Sequence, residues 1–119
     1  MRLVLVAAAL LAMPLITTPS AAQRSGTYAV TGQAPDGTRY EGSAQLQATG
    51  PDTWRITWRI GSDTASGVGI KVGQVLIVGY LQGRDVGAAG YEVMPDGRLS
   101  GVWTAGREGG VGTEVMLPR

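Results

Sequence analysis

The sequence predicts an all-β protein: an antiparallel meander of about eight short strands, closed or nearly closed into a small barrel, with no helix in the mature chain. Three observations carry this expectation. All 19 glycines lie beyond residue 25, and because glycine costs backbone entropy inside any element, such density specifies tight turns, bulges and close backbone approaches. Between the glycines run short segments in which apolar and polar residues alternate, the period of a strand with one dry face and one wet one. No segment repeats at the helical period, so nothing covers the apolar face of the sheet, and curling into a barrel both buries that face and removes free edges.

Residues 1–22 read as a secretory signal peptide, set apart from the fold. Arg2 is followed by an apolar segment from Leu3 to Ile16, then by Pro19 and the small residues Ser20 and Ala22. The apolar segment is too short for a membrane-spanning helix, which needs about 20 residues. Cleavage after Ala22 leaves Gln23 first and sends the chain to the periplasm or the outside, with no membrane span after cleavage. Residues 23–119 then form one barrel-like domain. With no cysteine in the chain, neither a disulfide nor a lipid anchor is available, and stability rests on packing and complete strand pairing. Setting aside Arg2, nine basic residues face nine acidic ones. That neutrality removes the electrostatic case for nucleic acid.

Strands are expected at about 27–33, 38–49, 53–61, 65–72, 74–82, 86–94, 98–105 and 111–117. The clearest is Trp54 to Ile60, apolar at every even position, and the segment before it places Tyr40, Ala44, Leu46 and Ala48 on one side. Pairing the two across Gly50-Pro51-Asp52 sets Leu46 beside Ile56 and Ala44 beside Trp58, with Glu41 and Arg59 on the same outer face. The remaining links carry turn residues: Pro35-Asp36-Gly37, Gly61-Ser62-Asp63, Gly83-Arg84-Asp85, Pro95-Asp96-Gly97 and Gly106 to Gly110. The stretches around the two Pro-Asp-Gly triplets echo one another, as two hairpins using the same turn chemistry would.

Alternation fails from Val75 to Leu81, where apolar residues occupy both faces. Such a strand is either covered on its second side or offers an apolar patch to a partner. Gly79, Gly83, Gly87 and Gly90 cluster beside it and leave the neighbouring surface smooth. Trp54, Trp58, Trp103, Tyr28, Tyr40 and Tyr91 all fall on inward faces, where they either fill the core or line a cavity for one small ligand, as eight-stranded barrels allow.

Absences limit the chemistry. Without histidine or cysteine, no histidine-based triad, thiol nucleophile, ordinary zinc site or haem ligation by these residues is possible, so neither cofactor nor metal is expected. The five aspartates sit beside turn glycines or prolines, where they bond local backbone. Glu41, Glu92 and Glu114 lie on strands and are accounted for by surface charge balance. Lys71 and Ser66 are five residues apart, on opposite faces of one strand. The chain reads as non-enzymatic.

Tyr28 to Gly32, Pro35-Asp36-Gly37 with Tyr40 and Gly42, Trp54 to Gly61, Gly67-Val68-Gly69, Val78-Gly79-Tyr80, and Gly101-Val102-Trp103 with Gly112-Thr113-Glu114 together resemble a group of small secreted bacterial all-β proteins often labelled fibronectin-binding. The resemblance spans nearly the whole mature chain and implies an adhesin-like role. The functional expectation is an exported binding module that contacts a protein, an envelope component or a second copy of itself through the Val75 to Leu81 strand. Leu76, Val78 and Tyr80 are its candidate residues there, with Trp54, Trp58 and Trp103 as the aromatic set. A small-ligand barrel with an aromatic interior is the alternative, and an inhibitor of a secreted enzyme another.

Overall fold

The computed structural model describes residues 23–119; the signal-peptide reading concerns residues 1–22 and lies outside the described residues. The described residues form eight strands: β1 (Gly26–Gln33), β2 (Arg39–Ala48), β3 (Thr53–Ile60), β4 (Asp63–Val72), β5 (Val75–Gln82), β6 (Asp85–Val93), β7 (Leu99–Ala105) and β8 (Gly112–Pro118). Each pairs antiparallel with its sequence neighbour, and β1 pairs with β8 from Tyr28↔Pro118 to Gln33↔Thr113, which closes the barrel. The closure answers the absence of disulfides, because no strand keeps an unpaired edge.

The β2–β3 register is the one that alternation predicts, Leu46 opposite Ile56 and Ala44 opposite Trp58. Tight links set the other registers. Gly61, Gly73 and Gly83 open two-residue connections at φ 62, 61 and 63°, a left-handed conformation that glycine adopts without steric cost. The two Pro-Asp-Gly loops are built alike. In each, the aspartate Oδ1 accepts a hydrogen bond at 2.9 Å from the amide two residues on, Thr38 in one and Arg98 in the other. Gly37 and Gly97 follow at φ 92 and 90°. The echo between these stretches is therefore shared turn chemistry.

The meander gives the barrel two distinct ends. Loops 34–38, 61–62, 83–84 and 106–111 lie at the upper end, and loops 49–52, 73–74 and 94–98 at the lower, with residues 23–25 and Arg119. The lower end is sealed. Tyr28 is wholly buried, and its hydroxyl donates to the Arg24 carbonyl at 2.6 Å and accepts from the Arg24 amide at 3.1 Å. Ser25 Oγ accepts from the Ala48 amide at 3.0 Å, and the Arg119 amide donates to the Thr27 carbonyl at 2.9 Å. Above this seal Leu46, Ile56, Leu76, Leu99 and Met116 pack with no solvent exposure beyond 1%.

The exterior is divided. On β1 to β3 the outward residues are polar or charged, among them Thr31, Glu41, Gln45, Arg55 and Arg59. On β4 to β7 they are mostly apolar, with Ser66, Glu92, Ser100 and Thr104 among them: Val68, Ile70 and Val72, then Val75, Ile77 and Leu81, then Val86 and Val102, all eight at least 42% exposed. Pairing joins them into one patch, with Ile70 opposite Ile77, Val72 opposite Val75, and Leu81 opposite Val86.

Candidate functional site

The broken alternation of β5 resolves into an inner row and an outer row. Leu76 and Val78 are buried core side chains, and Tyr80 points into the upper barrel. This corrects the expectation that Leu76, Val78 and Tyr80 form an outer contact surface: in a closed barrel the even positions of β5 face inward, and the exposed row is Val75, Ile77, Gly79 and Leu81. The tryptophans separate as well. Trp58 and Trp103 line the upper cavity, whereas Trp54, seated toward the lower end opposite Ala48, packs in the core with its Nε1 unpartnered.

The interior above the packed core is hollow. A cavity of about 220 Å³ opens at the upper end. Tyr40 and Trp103, from β2 and β7, meet edge to face with centroids 6.2 Å apart on one side of the ring of strands. Trp58 and Tyr80, from β3 and β5, form a tilted pair at 5.6 Å on the other. Asp63, Thr64 and Gln82 contribute to the rim, with Ile60 and Ala65 beside them.

Glycines make this cavity possible. Tyr40 pairs with Gly32, Tyr80 with Gly87, Tyr91 with Gly101 and Trp103 with Gly112. In each case a methyl group on the glycine would overlap the partner's ring. A ring can therefore lie flat against the backbone of the next strand, the device by which an aromatic compensates for a glycine in a curved sheet.

At the base of the cavity stands Glu114, only 6% exposed. Its partners on both flanking strands are glycines, Gly32 on β1 and Gly101 on β7, which leaves room for the rings that reach it. Tyr40 Oη donates to its Oε1 at 2.7 Å. Tyr91 Oη and Trp58 Nε1 donate to its Oε2 at 2.6 and 3.1 Å. No lysine or arginine lines the cavity. A side chain expected to balance surface charge is thus the most buried acidic group of the described residues, and its partners are neutral hydrogen-bond donors.

That environment shifts its neighbours. Burial, followed by the charge and hydrogen bond of Glu114, pushes the Tyr40 and Tyr91 phenols far above their ordinary 10.0. Tyr80 moves the same way, through burial and then the charges of Glu114 and Asp85. A phenol whose folded pKa lies above its unfolded one stabilises the fold fully below the unfolded value and loses that contribution as pH rises past it. Stability should therefore fall above pH 10. In an absorbance titration at 295 nm Tyr40 and Tyr91 are expected to ionise only together with loss of near-ultraviolet circular dichroism; ionisation of more than two of the four tyrosines near pH 10 with the fold intact would contradict the described packing.

No protein-family model matches the chain, and no curated protein matches it either. Among solved structures it is similar to designed barrels. One is a redesigned beta barrel, b11L5F_LGL, at TM-score 0.71 and 17% identity, covering 80% of this chain and 90% of that one. Another is the redesigned beta barrel mFAP1 bound to DFHBI, at TM-score 0.68 and 20% identity, covering 78% and 93%. A third comes from the de novo design of a fluorescence-activating beta barrel, at TM-score 0.63 and 13% identity, covering 81% and 94%. At these identities the likeness shows the fold alone. The class is that of small closed antiparallel barrels.

Proposed function

We propose that this chain is a non-enzymatic small-ligand-binding barrel whose site is the upper cavity. The observation that carries the reading is the contrast within one barrel between a packed lower core and an open, aromatic-walled upper space of about 220 Å³. Leaving such a space unfilled forgoes packing energy, and the rings that surround it need glycine partners to stand where they do. A concave apolar site with a few convergent polar groups is what small molecules select. Support comes also from mFAP1, a barrel of the same fold that is bound to DFHBI.

The test is a fragment titration of the mature domain followed by amide chemical shifts, with a panel of neutral, cationic and anionic small molecules. Members of the panel are expected to move the resonances of Trp58, Ala65, Tyr80 and Trp103, and Ala65→Trp, which fills the cavity, should abolish the response. If no fragment moves these signals, the reading fails.

A second reading rests on the exterior. The apolar wall of β4 to β7 is a contiguous exposed patch of the kind that marks contact surfaces, and pairing it with the same wall of a second copy would cover both at once. Sedimentation of the domain beside Ile77→Asp decides this: a concentration-dependent dimer lost in the variant supports it, and a monomer at all concentrations removes it.

A further inference from the structure

The chemistry of the cavity narrows the ligand class. Every polar atom on the aromatic walls is already engaged with the protein. Tyr40 and Tyr91 hydroxyls and Trp58 Nε1 are spent on Glu114, Tyr80 Oη donates to the Thr104 carbonyl at 3.0 Å, and Trp103 Nε1 donates to the Thr113 carbonyl at 3.4 Å. What these residues offer a ligand is therefore ring surface. An anion would meet no basic residue among the lining side chains, only the neutral rim donors of Thr64 and Gln82, and two carboxylates, Glu114 below and Asp63 at the rim.

Glu114 adds charge with little capacity for further hydrogen bonding. A carboxylate has about four acceptor sites, and three donors already occupy it. At the base of the cavity, a ligand that carries positive charge but few or no N–H groups fits that balance better than a primary amine or a guanidinium, whose donors would find there one acceptor site on Glu114 and the phenol oxygens, the stronger acceptors Asp63 and Gln82 lying at the rim. Ring surfaces on several sides of such a charge are the arrangement that attracts quaternary ammonium groups, through the negative faces of the rings.

Resting on the small-ligand reading above, we propose that the cavity takes a small organic cation, an N-methylated ammonium head group held between the Tyr40–Trp103 and Trp58–Tyr80 pairs above Glu114. Its remaining substituent leaves through the rim at Asp63, Thr64 and Gln82. The three hydrogen bonds to Glu114 serve to fix the carboxylate beneath the head group, so that its charge is pre-positioned before the ligand arrives.

Calorimetric titration of the mature domain with choline and with its neutral isostere 3,3-dimethylbutan-1-ol tests this. Choline is expected to bind about tenfold or more tighter than the isostere, the difference being the charge alone. Glu114→Gln should remove most of that preference, read as the ratio of the two affinities within the variant. Because Glu114→Gln also alters the bonds that hold three rings, a second pair of variants keeps the test independent of it. Tyr80→Phe retains the ring over Gly87 and should bind choline as the parent does, whereas Tyr80→Leu should lose about tenfold. Equal affinity for choline and the isostere, or no loss in Tyr80→Leu, overturns the cation assignment, and so does an absence of choline binding. When neutral fragments still move the cavity resonances in that case, the small-ligand reading survives it; when no fragment does, both fall.

Discussion

Glu114→Ala is expected to destabilise the domain by about 2–5 kcal/mol, because it strips the partner from Trp58 Nε1 and from the deeply buried Tyr91 hydroxyl, and a buried donor left without an acceptor costs about 1–3 kcal/mol. Tyr40 adds less, since it is only half-buried and its hydroxyl can turn toward water in the cavity. For a domain of this size the loss corresponds to a fall in melting temperature of roughly 10–30 °C. Glu114→Gln should lose less than half as much, since its carbonyl still accepts. Thermal unfolding of the two variants beside the parent checks the ranking; an alanine variant as stable as the parent would mean that water replaces the carboxylate at no cost.

The second large effect is expected at Gly101→Ala. A methyl group there would run into the Gly90 carbonyl oxygen and lie 2.8 Å from the Tyr91 Cα. Backbone cannot swing aside as a side-chain tip can, so the cost is that of overpacking, about 2–3 kcal/mol. It also lifts the Tyr91 ring, which the same glycine seats, and so loosens one of the bonds to Glu114. Gly90→Ala is the control. Nothing lies within 4 Å of a methyl group at that outward position, and replacing a strand glycine with alanine there should gain up to about 0.5–1 kcal/mol. Urea unfolding of both variants measures the contrast, and equal stabilities would show that the sheet yields at Gly101.

Strand number, order and the β2–β3 register were legible because β3 alternates cleanly and the turns carry glycine, proline and aspartate at the needed positions. The inward placement of Glu114 was not legible, for a specific reason. On β8 the apolar residues Val115 and Leu117 face outward, and Gly112, Glu114 and Met116 face inward. β4 is inverted in the same way, with Val68, Ile70 and Val72 outside and Gly67 and Gly69 within. A rule that sends large apolar residues inward assigns both strands to the wrong face. The inversion has a physical origin: on β8 the Trp103 ring lies over Gly112, and on β4 Gly67 and Gly69 make room for the Tyr80 Cβ and for the Leu76, Val78 and Ile56 side chains, so both strands contribute glycine inside and keep apolar residues for the exterior.

The glycine cluster beside β5 also divides once the faces are known. Gly83 makes a turn at positive φ, Gly87 seats the Tyr80 ring, and Gly79 and Gly90 lie on the outer wall with open space before them. Sequence proximity joins positions that serve three separate needs. The tryptophans show a similar mixture, since inward parity holds for Trp54, Trp58 and Trp103 alike while only the last two reach the hollow half of the barrel.

The seal at the lower end has a practical consequence. Ser25 and Arg119 are both held at the base of the barrel, by bonds to Ala48 and Thr27 respectively, at the pole farthest from the mouth of the cavity. A carrier, surface or reporter joined at Arg119 would grip the barrel by its base and leave the opening facing away from the point of attachment. Loops 61–62 and 83–84 at the mouth could then be lengthened or exchanged to alter what is admitted, with the hydrogen bonds of the base left untouched.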